Sequence, residues 1–159
     1  MPEAFVKGLN DNTRAKTIDL LNARLSDVIS LAMAVKQAHW NLKGAGFIGV
    51  HELLDDVADR LREGADLMAE RCVILGGEAR GTVEVAAEQS RVKPYPTDLE
   101  DIASHIEELK TRFMAVGETL RKAAESAGDA GDEDTADLFT EVSRQVDKDA
   151  WFIGANAKP

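Results

Sequence analysis

The chain has four prolines, and their placement decides most of what it can become. They stand at Pro2, Pro94, Pro96 and Pro159. Proline removes a backbone donor and breaks a helix interior, so the stretches on either side of Pro94 are free to run as long helices. Apolar residues recur along them at steps of three and four. Leu21, Leu25, Val28, Ala32 and Val35 form one such stripe, and Ile102, Ile106, Leu109, Phe113, Val116 and Leu120 form another. That period is the mark of an amphipathic helix with one face toward a core.

Four long helices are predicted. The first starts near Asp11 to Thr13, where Asp11, Asn12 and Thr13 each have a capping side chain. It runs to about Asn41 and ends at Lys43-Gly44-Ala45-Gly46. The second spans about Ile48 to Leu75 and stops at Gly76-Gly77. Residues 76–97 hold most of the breakers and read as a long connection with a short helix around Val83 to Glu88. Thr97-Asp98-Leu99-Glu100 has the form of a capping box opening the third long helix, which reaches about Ser126. After a turn at Gly128 to Asp132, the fourth runs from about Glu133 to Ile153, buried through Leu138, Val142, Val146 and Ile153. Two helical hairpins joined by one long crossover describe an all-α, four-helix bundle, the ferritin-like arrangement included. The expected domain is 13–156, between short tails 1–12 and 157–159.

At 159 residues the chain is one domain long. Its longest uncharged apolar run, Ile29 to Val35, is far too short to cross a bilayer. Met1 to Asn12 has neither a basic start nor a long apolar segment, so no secretory signal is expected. Cys72 stands alone, which points to a reducing cytoplasm; a space-filling residue near a helix end or a reactive thiol are its two readings. The formal charge of −10 is spread along the chain. Such a surface favours cations over phosphate backbones, though acidity also serves solubility alone.

His51 and Asp55 are four apart on the second helix, and Asp66 and Glu70 are four apart further along it. At about 100° per residue the four fall within one arc of roughly 100°. Any one of these acids alone reads as part of a solvated face; together they put imidazole and carboxylates on one side. His51 and Glu70 are separated by roughly 28 Å of helix, while metal ligands sit about 2 Å from their ion. The two pairs therefore cannot meet at one ion within a single chain. A site using all four must be intermolecular, and two copies of the helix packed antiparallel about a two-fold axis would bring the pairs together and create two equivalent sites. His39 continues the first helix's apolar stripe from Val35 and so points inward, as a ligand or as a core histidine; Trp40 follows it. His39, His51, Asp55, Asp66 and Glu70 make a mixed N/O set, better suited to iron or another transition metal than to calcium or structural zinc. Glu-x-x-His, the motif of di-iron sites inside one bundle, occurs nowhere in the sequence.

The run Ala38-His39-Trp40-Asn41, with Gly44, Phe47-Ile48, Val50-His51-Glu52 and Asp55, resembles the signature of the Dps miniferritins. Met68-Ala69-Glu70-Arg71 leading to Leu75-Gly76-Gly77, then Tyr95-Pro96, Asp134 to Leu138, Asp147-Lys148 and Trp151-Phe152-Ile153, extend the resemblance over about Thr17 to Asn156. The resemblance implies a hollow shell of twelve subunits. It implies a ferroxidase centre of His39, His51 and Asp55 from one subunit with Asp66 and Glu70 from its two-fold mate, and Trp40 as a redox-active neighbour. It implies oxidation of Fe(II), preferably by hydrogen peroxide, and storage of ferric mineral. The acidic run Asp129, Asp132, Glu133, Asp134 and Asp137 resembles the segment lining the family's three-fold pores, with Glu133 and Asp137 as the residues guiding cations inward. Acids favoured by the helix dipole are the alternative reading of that run.

One departure concerns DNA. Many members of the family bind it through a lysine-rich N-terminal tail, whereas residues 1–12 hold only Lys7 as a base beside Glu3 and Asp11, and the C-terminal end offers only Lys158. With the overall charge of −10, direct DNA binding is expected to be weak or absent at physiological salt. A nucleoid protein that compacts DNA is the competing reading, and a bundle without metal a third.

Overall fold

A computed structural model describes residues 2–157. Among them are five α-helices: α1 (Asp11–Asn41), α2 (Phe47–Ile74), α3 (Val83–Gln89), α4 (Ile102–Asp129) and α5 (Glu133–Gly154). Lys158, the base expected in the C-terminal tail, lies outside the described residues, as does part of that tail. No described helix is long and apolar enough to cross a membrane.

The loops at 42–46 and 130–132 are short, so α1 pairs with α2 and α4 with α5 as antiparallel hairpins. The hairpins then pack α1 on α4 and α2 on α5, and the small α3 lies on α1 within the crossover. Leu21, Val28, Leu54, Phe113, Leu120 and Phe139 are fully buried between the hairpins. The apolar stripes anticipated for α1 and α4 supply most of this core; Ile102 and Leu138 are only partly covered. Gly64 lets α2 and α5 approach closely, since a Cβ there would stand 3.2 Å from a Val142 methyl.

The helix starts depart from expectation in two places. Asn10, not Asp11, Asn12 or Thr13, caps α1, its side chain accepting from the Thr13 amide at 2.9 Å. Thr97 to Glu100 does not open α4. Instead Asp101 caps it, accepting from the Ser104 amide at 2.9 Å and the Ser104 hydroxyl at 2.7 Å. The cause is tertiary: the Lys43 amide donates to the Glu100 carbonyl and the Ile102 amide to the Lys43 carbonyl. This isolated parallel bridge keeps the chain extended just before Ile102. At the far end α4 continues past Ser126 to Asp129.

Candidate metal centre

His39 sits in the last turn of α1 and His51 in the second turn of α2, facing each other across the hairpin. Their rings stack with centroids 3.7 Å apart and 17° between planes. His39 Nδ1 donates to the His51 carbonyl at 2.8 Å, and His51 Nδ1 donates to the His39 carbonyl at 2.9 Å. A carbonyl oxygen only accepts, so each neutral imidazole keeps its proton on Nδ1 and leaves the Nε2 lone pair free. The same bond satisfies a carbonyl that the end of α1 would otherwise leave without an intrahelical partner. Sharing one structural need, the two histidines hold each other in the ligand tautomer, as an outer hydrogen bond does for many metal-bound imidazoles.

Asp55 lies one turn after His51, its Oδ1 3.9 Å from His39 Nε2. The same oxygen accepts from Lys36 Nζ at 2.5 Å. The Lys36 hydrogen bond, aided by the ammonium charge, outweighs the effect of burial and holds the Asp55 carboxyl below its ordinary range. The carboxylate is 57% exposed while Lys36 is largely covered. Trp40 is 60% exposed, with Lys36 Nζ 5.8 Å from its ring centre. Phe47, Ile48 and Met33 are exposed nearby in the sequence of the same two helices.

Asp66 and Glu70 are exposed further along α2. Because α2 is unbroken from Phe47 to Ile74, the helical rise puts Glu70 roughly 28 Å from His51. Among the described residues, no three His, Cys, Asp or Glu side chains converge as a metal-binding group within one chain. One chain thus stacks His39 on His51 with Asp55 alongside, short of a complete metal-binding group, and holds Asp66 and Glu70 elsewhere on α2.

The acidic run divides. Glu133, Asp134 and Asp137 are exposed on the first turns of α5, and Asp129 is exposed at the end of α4. Asp132, however, is 1% exposed and caps α5. It accepts from the Thr135 amide at 3.0 Å, the Thr135 hydroxyl at 2.6 Å and Arg71 at 2.8 Å. Burial pushes its carboxyl upward, but the Thr135 hydrogen bonds and the Arg71 charge outweigh this and leave it below its ordinary value. Asp132 is occupied in joining α2 to α5 and has no free face for a pore.

His105 was not singled out from sequence, where a lone histidine gives no signal. It is buried at the start of α4, accepting at Nδ1 from the Tyr95 hydroxyl at 2.7 Å and donating from Nε2 to the Leu99 carbonyl at 3.1 Å. Burial lowers its pKa, so it clasps the crossover as a neutral ring. Cys72 is buried against Asn22, and burial raises the thiol's pKa. That environment suits its space-filling reading.

A ferritin-like domain model matches residues 18–158. The chain is 44% identical over 150 residues to the DNA protection during starvation protein of Agrobacterium fabrum, covering 94% of this chain and 93% of that one. It is 31% identical over 156 residues to the protein of the same name from Mycolicibacterium smegmatis. The solved structure of Mycobacterium smegmatis Dps in its tetragonal form superposes with a TM-score of 0.93 at 30% identity, covering 100% of this chain and 96% of that one. DpsA14 from Streptomyces coelicolor gives 0.93 at 32% identity, covering 99% and 94%. Fold and similarity place the chain among the ferritin-like bundles. Within that class it belongs to the Dps family.

Proposed function

We propose that the protein is a ferroxidase and iron-storage miniferritin, which binds Fe(II) between two copies of itself, oxidises it with hydrogen peroxide and holds the ferric product inside a shell. The observation that carries this reading is the mutual Nδ1 lock of His39 and His51, which leaves both Nε2 lone pairs free, that of His39 3.9 Å from Asp55 Oδ1. A core histidine needs a partner for its proton; two histidines locked with their basic nitrogens free are arranged as donors to a cation.

Antiparallel pairing of α2 across a two-fold axis brings Asp66 and Glu70 of one copy to His39, His51 and Asp55 of the other. The exposed Trp40, Phe47, Ile48 and Leu67 supply apolar surface for such a contact. Imidazole nitrogens suit Fe(II), and carboxylates neutralise the charge gained on oxidation and so favour Fe(III). The reaction balances as two Fe(II), one H2O2 and two protons giving two Fe(III) and two water molecules, with no one-electron oxygen product released. Trp40, which follows His39 on α1, is the candidate residue for supplying an electron at the site. Twelve subunits complete the shell, and Glu133 and Asp137 draw cations toward it.

The alternative of DNA compaction has the names of the relatives in its favour. Against it stands the charge of −10. A shell of this charge repels a phosphate backbone. Its function is protection by removing iron and peroxide.

The test is Fe(II) oxidation by stoichiometric peroxide, followed by ferric absorbance, in the wild type and in His51→Ala/Asp55→Asn. The expected result is loss of the fast phase by a factor of at least about 100, the upper end of what loss of a ligand's outer hydrogen-bonding partner alone costs. An unchanged fast phase in a folded double variant would sink the proposed site.

A further inference from the structure

Tyr95 is the only tyrosine in the chain. It stands in the crossover between Pro94 and Pro96, half-buried against the bundle core. Its hydroxyl donates to His105 Nδ1 at 2.7 Å, and His105 Nε2 donates to the Leu99 carbonyl at 3.1 Å. A carbonyl only accepts, so the neutral ring keeps its proton on Nε2 and aims the Nδ1 lone pair at the phenol. His105 is buried, so water does not compete for that lone pair. The Arg112 guanidinium lies 5.0 Å from the centre of the Tyr95 ring, held there by the carbonyls of Lys93 and Pro94. Tyr95 and Trp40 line one cavity of about 440 Å³, together with Met33 and Gln37. Clasping the crossover needs a hydrogen bond alone. It needs neither a buried base as the acceptor nor a cavity shared with Trp40.

We infer that Tyr95 is a second redox residue of the centre, giving an electron to oxidised Trp40 and its proton to His105 in the same step. This rests on the reading of Trp40 as an electron donor beside a site that consumes Fe(II) and peroxide. Where a single Fe(II) meets peroxide, a second electron is needed to carry both oxygens to water. One Fe(II), one H2O2, two protons from solvent and the neutral Tyr95–His105 pair then give one Fe(III), two water molecules, a neutral tyrosyl radical and a His105 imidazolium. The electron passes by way of Trp40, which ends as it began. The O–H bond of Tyr95 breaks and an N–H bond forms at His105 Nδ1. A phenol that has lost an electron is a strong acid, and the Arg112 charge beside the ring further disfavours a radical that keeps its proton. Burial raises the pKa of the Tyr95 phenol and lowers that of His105, so both partners start neutral near neutral pH. The nearby charge of Asp101 favours the protonated His105 ring and offsets part of the cost of burying it. The oxidising equivalent thus leaves the exposed Trp40 for a half-buried ring.

The experiment needs no iron. In the assembled Trp151→Phe protein Trp40 is the only tryptophan, and azide radicals made by pulse radiolysis oxidise indole preferentially. The tryptophanyl absorbance should decay as the tyrosyl absorbance rises, at a rate independent of protein concentration and slower in D2O than in H2O. Tyr95→Phe keeps the ring and should leave the tryptophanyl radical long-lived. His105→Asn keeps an acceptor for the hydroxyl but removes the base, and should slow the transfer by about 100-fold, the lower end of what a positioned proton acceptor contributes. If His105→Asn does not fold, the D2O comparison decides. No tyrosyl rise, equal rates in H2O and D2O, or an unchanged rate in a folded His105→Asn variant overturns the inference. In a second arm, one Fe(II) per site followed by peroxide should give a tyrosyl signal by electron paramagnetic resonance, and Trp40→Phe should lose it. A signal of full size in Trp40→Phe overturns the route from the centre. Failure of the ferroxidase reading would leave the radiolysis result untouched, so the two failures are distinct.

Discussion

Asp132 offers the sharpest test of how the sequence builds this bundle. It is the N-cap of α5, it is 1% exposed, and through Arg71 it ties the end of α2 to the start of α5. Thr13 at the start of α1 donates to the carbonyl of Ala130 at 2.7 Å, so three helix ends depend on the same turn. Asp132→Ala removes a cap worth about 1 kcal/mol and leaves Arg71, whose side chain is 12% exposed, without its buried partner. Breaking a buried pair costs about 3–5 kcal/mol. The exposed Asp134, 4.0 Å from the same nitrogen, can take up part of the charge, so the lower end applies and the total, cap included, is about 4 kcal/mol. For a chain of this size that lowers the melting temperature by about 8–16 °C. Asp132→Asn keeps the capping acceptor and loses only the charge, so its effect should be about half as large.

The dependence on pH follows from the direction of the Asp132 shift. Its folded-state pKa lies below the ordinary value, because the Thr135 hydrogen bonds and Arg71 outweigh the effect of burial. The stability it contributes is therefore complete above the unfolded-state pKa of about 3.9 and is lost as pH falls through the folded value. Calorimetric melting at one fixed subunit concentration should show the gap between wild type and Asp132→Asn at its full width near neutrality and narrowing below about pH 3.9. A gap that widens on acidification, or an Asp132→Ala variant within about 1 kcal/mol of wild type, would refute the reasoning.

Arg60 donates from both Nε and Nη2 to one oxygen of Asp149, which is fully buried and whose other oxygen has no partner among the described residues. Arg60→Met should cost about 3–5 kcal/mol and Arg60→Met/Asp149→Leu much less, as read from denaturation midpoints; equal losses would show that the pair's charge is immaterial. Gly77→Ala should cost about 1–3 kcal/mol, because the new methyl would stand 2.8 Å from Ile18 and 2.9 Å from Cys72. A melting temperature at or above wild type would show that the α1–α2 contact yields more easily than its packing implies. Mobility-shift assays with duplex DNA at about 0.15 M salt should give no retardation; tight, salt-sensitive binding would restore the nucleoid reading. Light scattering should give a particle of twelve subunits, and monomer or dimer mass would remove the storage role.

The all-α class was legible because helix periodicity and breaker placement are local properties. The stripe Leu21, Leu25, Val28, Ala32, Val35 has the spacing of one helical face wherever the helix ends up, and all five residues are buried. The impossibility of an in-chain meeting between His51 and Glu70 was equally legible, since it needs only a continuous helix and its rise. What could not be read were features set by residues distant in sequence. The start of α4 moved from Thr97 to Asp101 because Lys43, on another hairpin, takes the Glu100 carbonyl. Asp132 looked like one more acid in a surface run until Arg71 on α2 was found to enclose it. Lys36 carried no signal at all, because its meaning lies in a carboxylate nineteen residues away. By itself the sequence determined the helices, their faces and the residue types able to bind a cation. The tertiary structure alone decided which caps and ion pairs form and which imidazole nitrogen stays free, because hydrogen bonds and charges are settled by what lies within about 3 Å in space and not by nearness along the chain.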